Sequence, residues 1–335
     1  MAVSKVLHGR GVNVRIGAAT AENIRRVAEE LDYRPNEIAR NLRSKQTKTI
    51  GLVFDETPMF GGKTRYFSDL MNGVTRAAFA LGYSVMLCDS LIGPTDRNRL
   101  FDGRFDGLMW VRMTASQQIL QDAVRLRLPS VMFADESLVT DPSTSYVSWD
   151  NRGAAAQVAK HLYSLGHRKV GFVIGAHSIV NPEARVRAGH FRETWMQCGG
   201  EKDQVETLIW DAEATDFDEW YANRDGITAL VSWSESGAIA ILERARAQNI
   251  QVPKDLSVVG FDSSSHCDLT QPRLTAACQP VDEMAAKATE FLIRLIQSPD
   301  TDPLRFVFPS SLDIRESTAS PVGVSGLEEK NICLH

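Results

Sequence analysis

The chain has five cysteines in 335 residues, Cys88, Cys198, Cys267, Cys278 and Cys333, and no C-x-x-C pair. An odd, scattered set argues against a disulfide framework and against a zinc site, so the sequence indicates no metal or cofactor and a reducing, cytoplasmic setting is expected. Nowhere do about 18 apolar residues run together, which gives no helical membrane span and no membrane partner. A basic start followed by an apolar run and a cleavage site is also missing, so no secretory signal is expected. Low-complexity segments and short repeats are absent. So are G-x-S-x-G, H-E-x-x-H, the P-loop and the dinucleotide fingerprint. The seven histidines are scattered; His161 and His167 fall on or just after one helix and are read as surface residues. Catalysis is therefore not the expected function.

What is present is unevenly spread. Residues 1–48 hold ten Lys/Arg against five Asp/Glu, a balance of +5, while the remainder holds 27 against 37, or −10. A basic end on an acidic body suits a nucleic-acid contact confined to that end, although charge-rich helices also produce such runs by chance. In TAENIRRVAEELDY, Ile24, Val27, Ala28 and Leu31 recur at helical spacing, with Thr20 as the expected N-cap and Arg34-Pro35 closing the segment. Val3, Val6 and Leu7 form a shorter stripe upstream. Two such stripes need a third surface to bury against.

From Thr49 the pattern changes to short apolar runs separated by amphipathic helices. TIGLVF, YSVMLCD, GLMWV, SVMFAD, YVSW, KVGFVIG, ALVSW and LSVVGFD read as strands. YFSDLMNGVTRAAFALG, AAAQVAKHLYSLG, SGAIAILERARAQ and VDEMAAKATEFLIRLIQ read as helices. Continuous apolar strands alternating with helices predict α/β architecture with parallel sheets covered on both faces, and this many units predicts two doubly wound subdomains.

VSKVLHG, ELDYRPNEIARNLRS and TIGLV, in that order, resemble the headpiece, hinge and first core strand of the lac-repressor/purine-repressor family of bacterial regulators. YVSWDN, HLYSLGHRKVGFVIG, VPKDLSVVGFD, LTAACQPVDEMAAKA and IREST continue the resemblance to about Thr318. Several motifs in the right order are far more specific than any one of them. The resemblance implies a partial all-α helix-turn-helix headpiece at 1–35 and a hinge helix and linker at 36–48. It implies an effector-binding, dimerising core at 49–318 of the periplasmic-binding-protein type, and a flexible tail at 319–335. Within the core, the first subdomain is expected at about 49–166 and 280–303, the second at about 167–279 and 304–318.

The family reads a pseudo-palindromic double-stranded DNA operator as a homodimer, its recognition helix in the major groove. MAVSKVLHG corresponds to that helix, so Ser4, Lys5 and His8 become candidates for DNA contact, with Arg15 in the following loop and Asn36 at the hinge start. The alternative for Lys5 and Arg15 is a solvated surface charge. In EIARNLRSK, Ala39 and Leu42 share a helical face beside Arg40 and Arg43. Relatives insert such a leucine into the minor groove, which adds Ala39, Leu42 and Arg43 to the DNA-binding set; ordinary packing is the alternative for Leu42.

The resemblance places a small-molecule effector, a sugar or sugar derivative, between the subdomains at the C-terminal ends of strands. Asp150, Arg187, Asp262 and Gln279 are its expected polar partners, since carboxylates accept from hydroxyls and guanidinium and amide groups donate to them. Asp150 and Asp262 can instead cap the helices after them. Tyr66, Trp110, Arg112, Trp233 and Ser234 complete the candidate set. Trp110, Trp149 and Trp233 end strands, where an indole can stack on a sugar or simply pack. Arg112 can pair with an acidic ligand group or face water. Departures are visible: Ser234-Glu235 stands where many relatives carry Asn-Asp, and Ser263 rather than a second Asp follows Asp262. The segment DETPMFGGKTRYF is longer than usual and LIGPTDRNRLFDGRFDG shorter, so the effector does not transfer from a relative.

The family pattern also begins about a dozen residues before Met1, so the helix and turn leading into the recognition helix are missing from the sequence as written. Two functions follow as expectations. One is an effector-controlled, sequence-specific DNA-binding regulator, a repressor, with the first helix encoded upstream. The other is a dimeric ligand sensor that has lost specific DNA binding. A secreted sugar-binding protein shares the core pattern but leaves the basic hinge unexplained.

Overall fold

The computed structural model describes residues 2–7, 16–33, 46–54, 65–89, 97–111, 122–133, 136, 139, 141–175, 181–210 and 217–322. The chain divides into two compact units, 1–48 and 49–335. In the first, α1 (Ala2–Leu7) packs on α2 (Ala18–Glu30). The helix α2 starts earlier than its sequence suggests. Gly17 is the N-cap and its carbonyl accepts from the Thr20 and Ala21 amides, so Thr20 lies inside the first turn instead of capping it. No residue of α2 is buried, and Leu31 just beyond it is 73% exposed.

The second unit holds two six-stranded sheets. The first contains β1 (Thr49–Phe54), β2 (Ser84–Asp89), β3 (Gly107–Val111), β4 (Ser130–Phe133), β5 (Ser145–Trp149) and β11 (Arg305–Phe308), in the order β11-β5-β4-β3-β1-β2. All of its pairings are parallel. The second contains β6 (Val170–Gly175), β7 (Val205–Trp210), β8 (Ala229–Ser232), β9 (Ser257–Phe261), β10 (Thr275–Cys278) and β12 (Ser311–Asp313), in the order β12-β10-β9-β8-β6-β7. Only β12 runs antiparallel to its neighbour. Central strands such as β3 and β9 are buried at every position, as parallel strands covered on both faces must be.

Among the described residues the helices of this unit include α3 (Tyr66–Ala80), α4 (Arg97–Leu100), α5 (Asn151–Ser164), α6 (Pro182–Gln197), α7 (Phe217–Asn223), α8 (Glu235–Ala247) and α9 (Val281–Gln297). On the first sheet, α3 and α9 pack together. They meet at Gly73, where an added Cβ would collide with the Asp282 carbonyl, so close approach requires glycine there. One buried cluster runs from Ile50, Leu52 and Val74 through Trp149 to Phe172 and Phe261, and so through both sheets. Smaller clusters cover the opposite faces, around Trp110 and Leu108 on the first sheet and around Phe217 and Leu256 on the second.

The chain crosses between the sheets three times, and two crossings differ from expectation. The helix α5 packs on α6, β10 and β12, so the first crossing falls at Trp149–Asn151 and not near residue 166. The strand β11 pairs with β5 in the first sheet, so the last crossing falls between Phe308 and Ser311 instead of at 303. A helical stretch read only from its apolar spacing does not say which sheet it covers. The three crossings adjoin: the Asp150 amide donates to the Phe308 carbonyl at 2.9 Å, and Cys278, just before the second crossing, lies opposite Ser311, just after the third.

Two further expectations are corrected. His167 is fully buried, with Nδ1 2.8 Å from Thr228 Oγ1 and Nε2 3.0 Å from the Ala319 carbonyl. His161 is partly buried, its Nε2 2.9 Å from Thr318 Oγ1. Burial holds both rings below their ordinary pKa, His167 at about 4. The same contacts anchor Ala319, placed in the loose tail by its sequence: its amide donates to Ser257 Oγ and its carbonyl accepts from it.

Candidate functional site

Arg187 is the centre of the site. Asn181 caps α6 by accepting from the Glu183 amide at 2.9 Å, and Pro182 supplies a pre-set first turn. The helix then carries Arg187 inward to 2% exposure. A buried guanidinium is tolerated only when its donors are satisfied and its charge is answered. Here Nε donates to Asn151 Oδ1 at 2.8 Å and one terminal nitrogen to the Trp233 carbonyl at 2.7 Å. That same nitrogen meets Asp262 Oδ1 at 3.3 Å, and the other donates to Gln279 Oε1 at 3.2 Å. Three aromatic faces surround the cation, with ring centres 4.8 Å away at Phe261, 5.1 Å at Trp149 and 5.9 Å at Trp233. Trp149 ends a strand of the first sheet and Phe261 one of the second; their rings meet edge to face at 6.2 Å.

The partners come from all parts of the fold. Asn151 is at the first crossing and Gln279 at the second. Asp262 follows β9 in a left-handed turn, with φ of 76° there and 27° at Ser263. Such values are uncommon for residues with side chains and persist where surroundings hold them. On one side, Glu235 at the start of α8 is fully buried and its Oε1 accepts from the Ser264 amide at 3.0 Å, Ser264 Oγ at 2.6 Å and Cys267 Sγ at 3.1 Å. Burial, then the neighbouring Glu235 charge, pushes the Cys267 thiol well up, so it stays a donor.

Of the expected effector residues, Arg187, Trp233, Asp262 and Gln279 converge. Asp150 lies next to the group, but its Oδ1 accepts from the Gly153 amide at 2.7 Å and caps α5, the role weighed against binding. Ser234 caps α8 through the Gly237 amide at 3.4 Å. Trp110 does not join the group around Arg187. It is fully buried with Val53, Leu108 and Met132, because strand alternation turns it to the face opposite Met109 and Val111. Tyr66 opens α3 and packs edge to face on Phe67 at 5.4 Å. Ser4 and Lys5 fall on α1. His8, Arg15, Asn36, Ala39, Leu42, Arg43 and Arg112 lie outside the described residues.

Sequence reasoning passed over Asn151, Phe261 and Glu235. Asn151 carried a usable signal, a second polar residue directly after a strand end. Nothing in the pattern of Phe261 separates a ring facing a cation from an ordinary core ring.

Residues 159–318 match the periplasmic binding protein-like domain. Over nearly its whole length the chain is similar to the HTH-type transcriptional regulator CelR of Thermobifida fusca, at 27% identity covering 94% of this chain and 93% of the relative. It is also similar to the HTH-type transcriptional regulator AscG of Escherichia coli (strain K12), at 28% identity covering 95% and 94%. Among solved structures, a CelR–cellobiose complex is similar with a TM-score of 0.71 and 25% identity over 94% of both chains. The lac repressor dimer bound to operator and the anti-inducer ONPF has a TM-score of 0.78 at 22% identity, covering 95% of this chain and 94% of that one, and so shares the fold. With two doubly wound parallel sheets and near-full-length similarity to these relatives, the chain resembles the transcriptional regulators of the lac-repressor/purine-repressor family in both fold and sequence.

Proposed function

We propose that the protein is a homodimeric, sequence-specific DNA-binding regulator, a repressor, whose grip on its operator is set by a small hydroxyl-rich effector between the two sheets. The observation that carries this reading is the Arg187 junction. A buried cation is ringed by a carboxylate, two amides and three aromatic faces where the chain crosses between sheets. Polar groups that both donate and accept, set against aromatic faces, suit a sugar or sugar derivative. The similar CelR structure holds cellobiose, which supports that ligand class. An effector that prefers one arrangement of the sheets shifts the population towards it.

Ser4, Lys5, His8, Arg15, Asn36, Ala39, Leu42 and Arg43 are the proposed DNA contacts, on the basic unit 1–48. The proposed dimer face includes Phe79, Leu81, Met86 and Leu87, exposed at the end of α3 and on the edge strand β2. The test is a thermal-shift screen of mono- and disaccharides and their phosphates against the full chain. A true effector at a hundredfold excess over its Kd stabilises by about 2.7 kcal/mol; no stabilisation by any sugar or sugar phosphate refutes the carbohydrate reading.

A second reading, a dimeric ligand sensor without specific DNA binding, is favoured by the apolar stripe of α2, none of whose residues is buried. Gel-shift selection from a random-sequence duplex pool separates the two. Enrichment of a pseudo-palindrome supports the regulator, and sequence-indifferent binding supports the sensor.

A further inference from the structure

The strained turn at Asp262-Ser263 is held on a second side by groups that none of the foregoing roles uses. Ser263 Oγ donates to Asp313 Oδ2 at 2.6 Å and accepts from Arg315 at 3.0 Å. Arg315, 13% exposed, also donates to the Leu274 carbonyl at 2.9 Å, pairs with Asp268 at 2.7 Å, and lies 3.7 Å from Asp313. Asp313 ends β12, the strand that leaves the third crossing, and sits opposite Ala276 of β10. The hydroxyl of Ser263 is therefore a bridge with a carboxylate on one side and a guanidinium on the other.

We propose that Ser263, Asp313 and Arg315 form a positioning clasp that ties the Asp262 turn to the third crossing. The inference rests on the reading of the Arg187 junction as the effector site. Arg187 already touches the first crossing through Asn151 and the second through Gln279. The clasp supplies the third link, from Arg187 through Asp262 and Ser263 to Asp313. Any ligand that draws Arg187 or Asp262 towards itself then acts on all three connections between the sheets. None of the clasp residues touches Arg187, so their part is positioning.

The chemistry dictates a rescue experiment. An aspartate at 263 tolerates the left-handed turn and still pairs with Arg315, but it faces the Asp313 carboxylate. Converting Asp313 to asparagine restores a donor to that pair. Hydrogen exchange by mass spectrometry on the full chain should show Ser263→Asp speeding exchange at least about tenfold in both segments 262–268 and 308–313. Strand β1 should be unchanged, and the double variant Ser263→Asp/Asp313→Asn should return both segments to within about threefold of wild type. Ser263→Ala, which removes the bridge without adding charge, should loosen the same two segments by a smaller factor. The proposal is overturned if only one segment responds, if neither does, or if the double variant is no slower than Ser263→Asp. Should Ser263→Asp loosen β1 as well, Ser263→Ala decides by the same two segments. Thermal shifts with cellobiose, ribose and glucose on the same variants keep the two claims apart. If none of these, and no other sugar, stabilises wild type, the carbohydrate reading fails, while the exchange pattern still judges the clasp.

Discussion

Helices α2 and α9 carry the same kind of amphipathic stripe and meet opposite fates. In α9, Val281, Met284, Ala285, Ala288, Leu292 and Leu295 are buried against the first sheet and α3; in α2 no residue is buried. Periodicity thus announces a need for a partner surface and does not supply one. Helical stability in proteins comes mainly from packing of the apolar face, so the two units should respond very differently to the same substitutions. All six tryptophans lie in the unit 49–335, so their fluorescence reports that unit alone.

The largest effect is expected at the polar centre of that unit. Arg187→Ala strands Asp262 beside buried rings and should cost about 3–5 kcal/mol in urea unfolding followed by tryptophan fluorescence. A loss below about 1 kcal/mol would mean the junction is solvated, not closed. Next comes the paired helix test. Leu292→Ala in α9 should cost about 2–5 kcal/mol, whereas Leu31→Ala beside α2 should stay within about 0.5 kcal/mol by far-UV circular dichroism. Comparable losses would erase the contrast.

Acid should act on the same unit. His167 is buried and neutral, with its pKa lowered from 6.5 to about 4. A lowered base stabilises the fold fully above its ordinary pKa, and that contribution of about 3 kcal/mol is lost as pH falls from about 6.5 towards 4. His161 adds in the same direction. Urea midpoints between pH 7.5 and 5 should therefore fall, and His167→Gln should flatten the slope; an unchanged slope removes His167 as the cause. The smallest effects are at helix starts. Asp150→Ala should cost about 1 kcal/mol, and Gly17→Ser should gain a few tenths in α2.

Much of this was legible in the residues. Apolar runs such as TIGLVF and LSVVGF give buried parallel strands because nothing else covers both faces of such a segment. Arg187, Asp262 and Gln279 were readable from motif position, and Arg187 gathers the other two. What sequence did not carry was direction. Trp110 and Trp149 both sit at strand ends, yet alternation sends one into the far layer and brings the other under Arg187. The burial of His167 is not legible locally because its partners, Thr228 and Ala319, lie 61 and 152 positions away. The crossings are hidden for the same reason, since only pairing shows which sheet β11 joins.

The most direct test of the central claim is calorimetric titration of the full chain with the sugar that gives the largest thermal shift, repeated on Arg187→Lys. Lysine keeps the charge but has no planar fork to hold Asn151, Trp233, Asp262 and Gln279 together. The account predicts an affinity loss of about 10–100-fold in the variant, with its fold intact by circular dichroism. An unchanged Kd in a folded Arg187→Lys protein would contradict it.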